Sequence, residues 1–239
     1  MNKTYFASCM AVVASLLAAP ASADDLTGTL QKIKESGSIT IGYRETSLPF
    51  SYIDNEQKPI GFALDICNKI VDEVKATLKL DKLDVKLMPV TSATRIPLIA
   101  NGTIDLECAS TTNNLERQKL VAFSHSYFLT ASRYVAKVSN KLKTIDDLKG
   151  KAVASTAGTT NIKQLFEANT ARQLGMNILT AKDNAEGFLM VETGRADAYV
   201  MDDILLAGLV ASSKTPSDYA ISTDAFSLPE PLSLIHISE

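Results

Sequence analysis

One stretch of the sequence combines residue types that suit a small zwitterionic ligand. Residues 108–119 read Cys-Ala-Ser-Thr-Thr-Asn-Asn-Leu-Glu-Arg-Gln-Lys. Directly before them, apolar and acidic residues alternate with the period of a strand that has one face against a core. Asn113, with Glu116 three residues later, predicts a capping box that opens a helix. The hydroxyl residues 110–112 therefore end a predicted strand, and Arg117 lies one turn into a predicted helix.

Such a strand-to-helix junction could bind both charged groups of a free amino acid. Backbone N–H groups at the helix start, the hydroxyl groups and the Arg117 guanidinium can all donate to a carboxylate. The carbonyl and Oγ of Ser110 can accept from an ammonium group. The alternative is that these residues only turn the chain and cap a helix, because capping residues are common wherever helices begin.

Further charged residues occupy the ends of other predicted elements. Arg44 follows a predicted strand over residues 38–42, at the edge where α/β sheets bind their ligands. Ser92 and Arg95 open a predicted helix, where an arginine opposes the helix dipole and a bound anion would offset that opposition. Asp202 ends another predicted strand, and its carboxylate could pair with an ammonium group.

The elements that must position these residues are helices alternating with short strands, and they contain an internal repeat. Residues 100–106, Ala-Asn-Gly-Thr-Ile-Asp-Leu, match residues 192–198, Glu-Thr-Gly-Arg-Ala-Asp-Ala, with an aspartate three positions after a glycine in both. Five positions beyond each aspartate stand Ser110 and Asp202. Unless so short a match is coincidental, it predicts two similar α/β units that each offer a polar residue at a strand end.

Composition and charge exclude several classes of function. The chain of 239 residues is 46% hydrophobic and 21% charged, with a formal charge of −3, as in a globular protein with a sizeable core. The sequence contains no basic patch that would indicate a nucleic-acid partner. The lack of tryptophan disfavours a sugar site built on stacked indoles. No cysteine has a second cysteine or histidine at metal-ligand spacing, so we expect neither a metal nor a cofactor.

The first residues predict export. Residues 1–23 have the pattern of a signal peptide, with an apolar run over residues 6–20 and small residues at 21–23. We therefore expect a periplasmic protein. Export permits a disulfide, but Cys67 and Cys108 could equally remain buried thiols.

Six motifs together indicate one family. They are Gly-Tyr-Arg-Glu-Thr-Ser-Leu-Pro-Phe-Ser-Tyr (42–52), Thr-Ser-Ala-Thr-Arg-Ile-Pro (91–97), Asn-Gly-Thr-Ile-Asp-Leu-Glu-Cys (101–108), Ser-Thr-Thr-Asn-Asn-Leu-Glu-Arg-Gln-Lys (110–119), Gly-Thr-Thr (158–160) and Met-Asp-Asp (201–203). Across residues 24–229 the chain resembles the periplasmic solute-binding proteins of polar amino-acid ABC transporters, especially those for glutamate and aspartate.

The resemblance implies an α/β fold of two lobes, the type II periplasmic-binding-protein fold, in which each lobe is a mixed sheet flanked by helices. Residues 24–131 would form the first part of lobe 1, and residues 132–228 would form lobe 2. Residues 229–239 would start the crossing back to lobe 1. Because residues 232–239 depart from the family pattern, we expect them to be a non-native tail that leaves lobe 1 incomplete and the hinge one strand short.

The resemblance also implies which residues hold the two charged groups common to all amino acids. Arg117 and Thr112, helped by Thr160, would bind the α-carboxylate. Ser110 and Asp202 would bind the α-ammonium group.

A third set would recognise the ligand's side chain. Arg44, Ser92 and Arg95 would meet a side-chain carboxylate. Asn184 stands where close relatives carry a histidine for that carboxylate. An amide can donate but has no charge, so the choice among glutamate, aspartate and their amides stays open.

The implied function is capture of L-glutamate or L-aspartate by a monomer whose lobes close about the ligand, for delivery to the permease subunits of an ABC importer. One alternative is a periplasmic dehydratase on the same scaffold, but it would need a general acid, and no histidine lies in the cleft segments. The other is the sensor domain of a receptor, which would need a transmembrane helix.

Overall fold

The computed structural model describes residues 26–237, and the predicted signal peptide lies outside this range. The α-helices are α1 (Gly28–Ser36), α2 (Phe62–Thr77), α3 (Arg95–Ala100), α4 (Thr160–Ala171), α5 (Asn184–Glu192) and α6 (Asp203–Ser212). Short 3-10 helices span Arg117–Lys119, Val138–Asn140, Ile145–Leu148 and Pro216–Asp218. Within residues 26–237, none of the helices is long and apolar enough to cross a membrane.

The strands belong to two main sheets and one small sheet. They are β1 (Ser38–Tyr43), β2 (Thr46–Ser47), β3 (Ser51–Ile53), β4 (Pro59–Ile60), β5 (Asp84–Pro89), β6 (Leu106–Thr112), β7 (Ala122–Phe123), β8 (Phe128–Thr130), β9 (Ser132–Lys137), β10 (Ala152–Thr156), β11 (Asn177–Ala181), β12 (Ala198–Asp202), β13 (Tyr219–Ile221) and β14 (Glu230–His236).

Each main sheet is mixed and defines one lobe. In lobe 1 the strand order is β5-β1-β6-β14-β7, with β8 also paired to β14. There β1 is parallel to β5 and β6, whereas β14 is antiparallel to β6, β7 and β8. In lobe 2 the order is β11-β10-β12-β9-β13, with β10 parallel to both neighbours and β9 antiparallel to both of its own. The predicted fold class is confirmed.

The repeat noticed in the sequence has the same role in both lobes. The Asp105 carboxylate accepts from the backbone N–H of Thr40 at 2.8 Å, and the Asp197 carboxylate accepts from that of Ala152 at 2.9 Å. In each case the aspartate precedes one central strand and accepts from a backbone N–H of the neighbouring strand, Thr40 within β1 and Ala152 at the start of β10. The prediction of two similar α/β units is therefore confirmed.

Within residues 26–237 the chain passes between the lobes twice. Ala131 alone separates β8 of lobe 1 from β9 of lobe 2, and the chain returns between β13 and β14. We expected residues 232–239 to leave the hinge one strand short, but the structure differs. Residues 230–236 form β14, because Leu232, Leu234 and Ile235 supply apolar side chains that are at most 1% exposed in the core of lobe 1.

The sequence left undecided whether Cys67 and Cys108 are bonded; in the structure they form a disulfide that joins α2 to β6. Cys67 and Cys108 are bonded across a sequence separation of 41 residues. Both are fully buried, and α2 also packs Leu64 and Val71 into the same core. The disulfide therefore anchors the strand whose last residues face the cleft.

Candidate functional site

The predicted site residues meet where the carboxyl ends of the strands of both lobes face each other. Lobe 1 contributes Arg44 after β1, Ser92 before α3, Arg95 at the first position of α3, Ser110 and Thr112 at the end of β6, and Arg117 beyond it. Lobe 2 contributes Thr160 and Asn184 at the starts of α4 and α5, and Asp202 at the end of β12. Thr160 is half-buried, and the other eight are buried.

Arg44 and Arg95 form a buried cationic pair in lobe 1. Each is 2% exposed. The Nη1 of Arg44 donates to Ser92 Oγ at 2.6 Å, and the Nη1 of Arg95 donates to the Ser110 carbonyl at 3.1 Å. Among the residues described, Arg44 Nη2 and Arg95 Nε find no hydrogen-bond acceptor. Because a buried unpaired donor is costly, these two atoms are suited to receive an anion.

The sequence predicted that Ser92 caps α3, but this prediction is wrong. The helix begins only at Arg95, and the hydroxyl of Ser92 accepts from Arg44 instead. The turn before the helix is held by Thr91 and Thr94, whose hydroxyls each accept from the other's backbone N–H.

The buried charges of the site influence one another. Burial and the nearby Arg95 together lower the pKa of Arg44 to about 10, although Glu107 opposes the change. Burial and Arg95 likewise lower the pKa of Arg117 to about 10. Both guanidinium groups remain cationic at neutral pH, so a bound anion would relieve their mutual repulsion.

Glu107 is a buried carboxylate that the sequence analysis did not recognise. It is fully buried, with Oε1 3.7 Å from Arg95 Nη1 and Oε2 accepting from Thr111 Oγ1 at 2.8 Å. The prediction that this strand has only one buried face is wrong, because every residue of β6 is buried. The available signal for a buried carboxylate was an acidic residue in a strand that ends in hydroxyl residues.

Arg117 reaches across the cleft. Its Nη1 donates to the Thr112 carbonyl at 3.0 Å, and its Nη2 donates to the Gly158 carbonyl of lobe 2 at 3.1 Å. The hydroxyls of Thr112 and Thr160 lie 3.3 Å apart across the same gap. A guanidinium, two hydroxyls and the start of α4 thus converge on one place, as an anion site requires.

The helix predicted after Asn113 is absent. Only the 3-10 helix Arg117–Lys119 forms, because the chain must reach β7 at Ala122. The capping box of Asn113 and Glu116 is therefore wrong, and the backbone N–H of Arg117 donates to Asn114 Oδ1 at 2.9 Å.

Asp202 provides the buried negative group of lobe 2. It is 1% exposed and accepts from Asn161 Nδ2 at 2.9 Å. Burial raises the pKa of Asp202 to about 6, although the bond from Asn161 opposes the rise. Asn161, which the sequence analysis missed, also donates to Ser132 Oγ at 3.1 Å and so fixes the carboxylate next to β9. A cation beside Asp202 would favour its ionised form.

The amide of Asn184, like the guanidinium of Arg117, is bonded to both lobes. The Nδ2 donates to the Thr46 carbonyl and to Ser47 Oγ of lobe 1, at 3.1 and 3.3 Å. The Oδ1 accepts from Thr156 and Tyr199 of lobe 2, at 3.2 and 3.1 Å. None of these four partners was recognised from the sequence.

The buried charges of the cleft leave one positive charge in excess. Three guanidinium groups face two carboxylates, and the five residues are Arg44, Arg95, Arg117, Glu107 and Asp202. The residues described contain no cluster of side chains able to hold a metal ion. The arrangement is complementary to a small solute that carries one more negative than positive group.

A cleft of this kind between two mixed-sheet lobes defines a binding protein for a small charged solute. The model of the bacterial extracellular solute-binding proteins, family 3, matches residues 39–214. The chain belongs to this family.

Two curated relatives resemble the chain over most of its length. The L-glutamate/L-aspartate-binding protein of Pseudomonas aeruginosa is 52% identical over 212 residues, which are 88% of this chain and 70% of the relative. The glutamate/aspartate import solute-binding protein of Salmonella typhimurium is 48% identical over 212 residues, 89% of this chain and 70% of the relative. Both are solute-binding proteins, which supports a binding protein over an enzyme.

Among solved structures, holo ArgBP from T. maritima has the same fold. It superposes with a TM-score of 0.76 at 27% identity and covers 87% of this chain and 86% of that chain. The similarity agrees with the two-lobe architecture described above.

Proposed function

We propose that the protein binds L-glutamate or L-aspartate in the cleft between its lobes. The observation that carries this proposal is the pair Arg44 and Arg95, two buried cations whose Nη2 and Nε have no acceptor among the described residues. The side-chain carboxylate of the ligand would supply a hydrogen-bond acceptor for both atoms. Two relatives named for glutamate and aspartate, at 52% and 48% identity, support the same ligand class.

The groups common to all amino acids would bind on either side of the gap. Arg117, Thr112 and Thr160 would hold the α-carboxylate, because their donors converge across the cleft. The Asp202 carboxylate and the Ser110 hydroxyl would accept from the α-ammonium group. Such charge-assisted hydrogen bonds contribute about 1.5–3 kcal/mol each.

The side-chain carboxylate would lie against Arg44, Ser92 and Arg95. An acidic amino acid carries two carboxylates and one ammonium group, so its net charge of −1 balances the excess positive charge of the cleft. A neutral amide such as glutamine would leave that charge buried and unpaired, which is costly. We therefore expect glutamate and aspartate to bind more tightly than glutamine.

In the cell, the protein would act as a monomer in the periplasm and deliver its ligand to the permease subunits of an ABC importer. Residues 1–23 would serve as the export signal, residues 24–131 as the first part of lobe 1 and residues 132–228 as lobe 2. Closure of the lobes about the ligand would be the state that the permease recognises.

Calorimetric titration of the full chain with glutamate, aspartate, glutamine and arginine tests the proposal. We expect dissociation constants near or below about 1 μM for the two acidic amino acids, with weaker binding of glutamine and none of arginine. Tight binding of arginine would contradict the proposed roles of Arg44 and Arg95.

A further inference from the structure

The side chain of Asn184 is fully occupied by the protein itself. An amide has two donor hydrogens on Nδ2 and two acceptor positions on Oδ1. In this structure the donors go to the Thr46 carbonyl and Ser47 Oγ, and the acceptor positions go to Thr156 and Tyr199. Asn184 is 0% exposed. A ligand carboxylate would have to displace lobe 1 to receive a hydrogen bond from this amide.

On the lobe 2 side, the amide is held in one orientation. Thr156 Oγ1 and Tyr199 OH lie 3.2 and 3.1 Å from Asn184 Oδ1 and donate to it, and the two hydroxyl oxygens lie 2.8 Å from each other, so the three oxygen atoms form a closed triangle. Thr156 and Tyr199 are both 0% exposed. Because the triangle lies wholly within lobe 2, it fixes the direction in which Nδ2 points whether or not lobe 1 is in contact.

On the lobe 1 side, β2 receives the amide. The backbone N–H of Asn184 also donates to Thr46 Oγ1 at 3.3 Å, so three hydrogen bonds join the start of α5 to two consecutive residues. The next residue, Leu48, packs against α6 so closely that a Cβ on Gly208 would lie 2.9 Å from its Cβ. The turn that begins with β2 is therefore a docking surface for lobe 2.

We infer that Asn184 is a positioning residue that latches the closed lobes to each other and makes no contact with the ligand. The inference rests on the proposed function, because closure matters only if a solute is enclosed. Its bonds to Thr46 and Ser47 form only when the lobes meet, so they stabilise the closed state by the same amount for every ligand. Arg44 and Arg95, whose Nη2 and Nε have no acceptor among residues 26–237, remain to recognise the ligand's side chain.

The test compares three variants of the full chain. Asn184→Ala removes the latch, Ser47→Ala removes one of its lobe 1 partners and leaves the lobe 2 triangle intact, and Asn140→Ala removes an exposed amide bonded to the Asp197 carbonyl at 3.0 Å as a control. Affinity and dissociation rate are measured for glutamate, aspartate and glutamine. Small-angle X-ray scattering reports lobe closure in the loaded protein.

For Asn184→Ala we expect about tenfold weaker binding of all three ligands, because two neutral hydrogen bonds are lost, with most of the change in the dissociation rate. Ser47→Ala should show a smaller loss of the same kind, and combining it with Asn184→Ala should add little, since the two residues share a bond. Asn140→Ala should bind like the wild type.

The outcomes separate the latch from the proposed function. If Asn184→Ala weakens glutamate and aspartate but spares glutamine, Asn184 contacts the ligand and the latch is wrong while the proposed function stands. Unchanged dissociation rates in both Asn184→Ala and Ser47→Ala would also overturn the latch. If the wild type binds none of the three ligands, the proposed function fails and the latch fails with it.

Discussion

Arg117 in lobe 1 donates its Nη2 to the carbonyl of Gly158 in lobe 2 at 3.1 Å. Its Nη1 donates within lobe 1 to Thr112. One guanidinium therefore both belongs to the proposed α-carboxylate site and joins the lobes. Because the bond to Gly158 can exist only when the lobes meet, binding and closure depend on the same side chain.

The close approach at Gly158 predicts that a larger residue there prevents closure. Gly158 has φ of +75°, and a Cβ added to it would lie 2.6 Å from the Cα of Ala93 in lobe 1. We expect Gly158→Ala to weaken glutamate binding by at least about tenfold, because backbone atoms cannot easily move aside. Titration calorimetry measures the change.

Gly194→Ala is the matched control for Gly158→Ala. Gly194 also lies in lobe 2 and has φ of +73°, but a Cβ there would meet nothing within 4 Å. Alanine is strained at positive φ by about 1–2 kcal/mol. Both variants should therefore lose a similar amount of unfolding free energy. Equal losses of affinity in the two variants would show that backbone strain, and not contact with Ala93, causes the effect.

The pKa of Asp202 predicts that binding weakens in acid. The carboxyl has a pKa raised to about 6 by burial, and only its ionised form can pair with the ligand's ammonium group. As the pH falls below 6 the carboxyl is protonated, so affinity should drop by about fivefold between pH 6 and 5 and approach about tenfold per pH unit below pH 5. Above pH 7 it should be constant.

The variant Asp202→Asn, whose ligand affinity is measured over the same pH range, identifies the group that causes the pH dependence. It should bind weakly at every pH and lose the change between pH 5 and 7, because the amide has no proton to exchange. If this variant keeps the wild-type pH profile, another group causes the acid dependence.

Some features of this protein could be predicted because their signals are local. The aspartates 105 and 197 each follow a glycine by three residues, and their shared role at the beginning of a strand appears in both lobes. The position of Arg44 directly after β1 follows from strand periodicity alone. Arg44 and Asp202 were found because charge is rare at the ends of buried strands.

Other features depend on contacts between residues far apart in the sequence. Asn184 and Thr46 are 138 residues apart, and no pattern near either one predicts their hydrogen bond. Glu107 was taken for a solvent-facing residue of an alternating strand, since its burial depends on Arg95 and on β14 completing the sheet. The missing helix after Asn113 was likewise decided by the position of β7 rather than by local preference.

The Nη2 of Arg44, which has no acceptor in the part of the chain that the structure describes, predicts that this residue determines selectivity for acidic ligands. Arg44→Gln should weaken glutamate binding by about 10- to 100-fold, because a charge-assisted hydrogen bond is lost, but glutamine by much less. The measurement is the ratio of the two dissociation constants. Arg195→Gln, at an exposed position on lobe 2, removes the same charge and should leave the ratio unchanged. Parallel losses for both ligands would contradict a role in reading the side chain.

The disulfide between Cys67 and Cys108 predicts a contribution to stability that is separate from ligand recognition. It closes a loop over a sequence separation of 41 residues, for which the chain-entropy model gives about 4 kcal/mol. We expect the double variant Cys67→Ala, Cys108→Ala to lose about 2–4 kcal/mol of unfolding free energy in urea titrations. Both cysteines are fully buried, and neither lies among the proposed ligand contacts. Glutamate affinity should therefore change by less than about threefold under conditions where both proteins are folded.

Chemical reduction provides the control for the double cysteine variant. A thiol reductant should lower the stability of the wild type towards that of the variant and have no effect on the variant itself, because only the wild type has a bond to reduce. If the variant is as stable as the oxidised wild type, the loop that the disulfide closes is already restricted in the unfolded chain. The bond would then serve to fix α2 against β6 rather than to stabilise the fold.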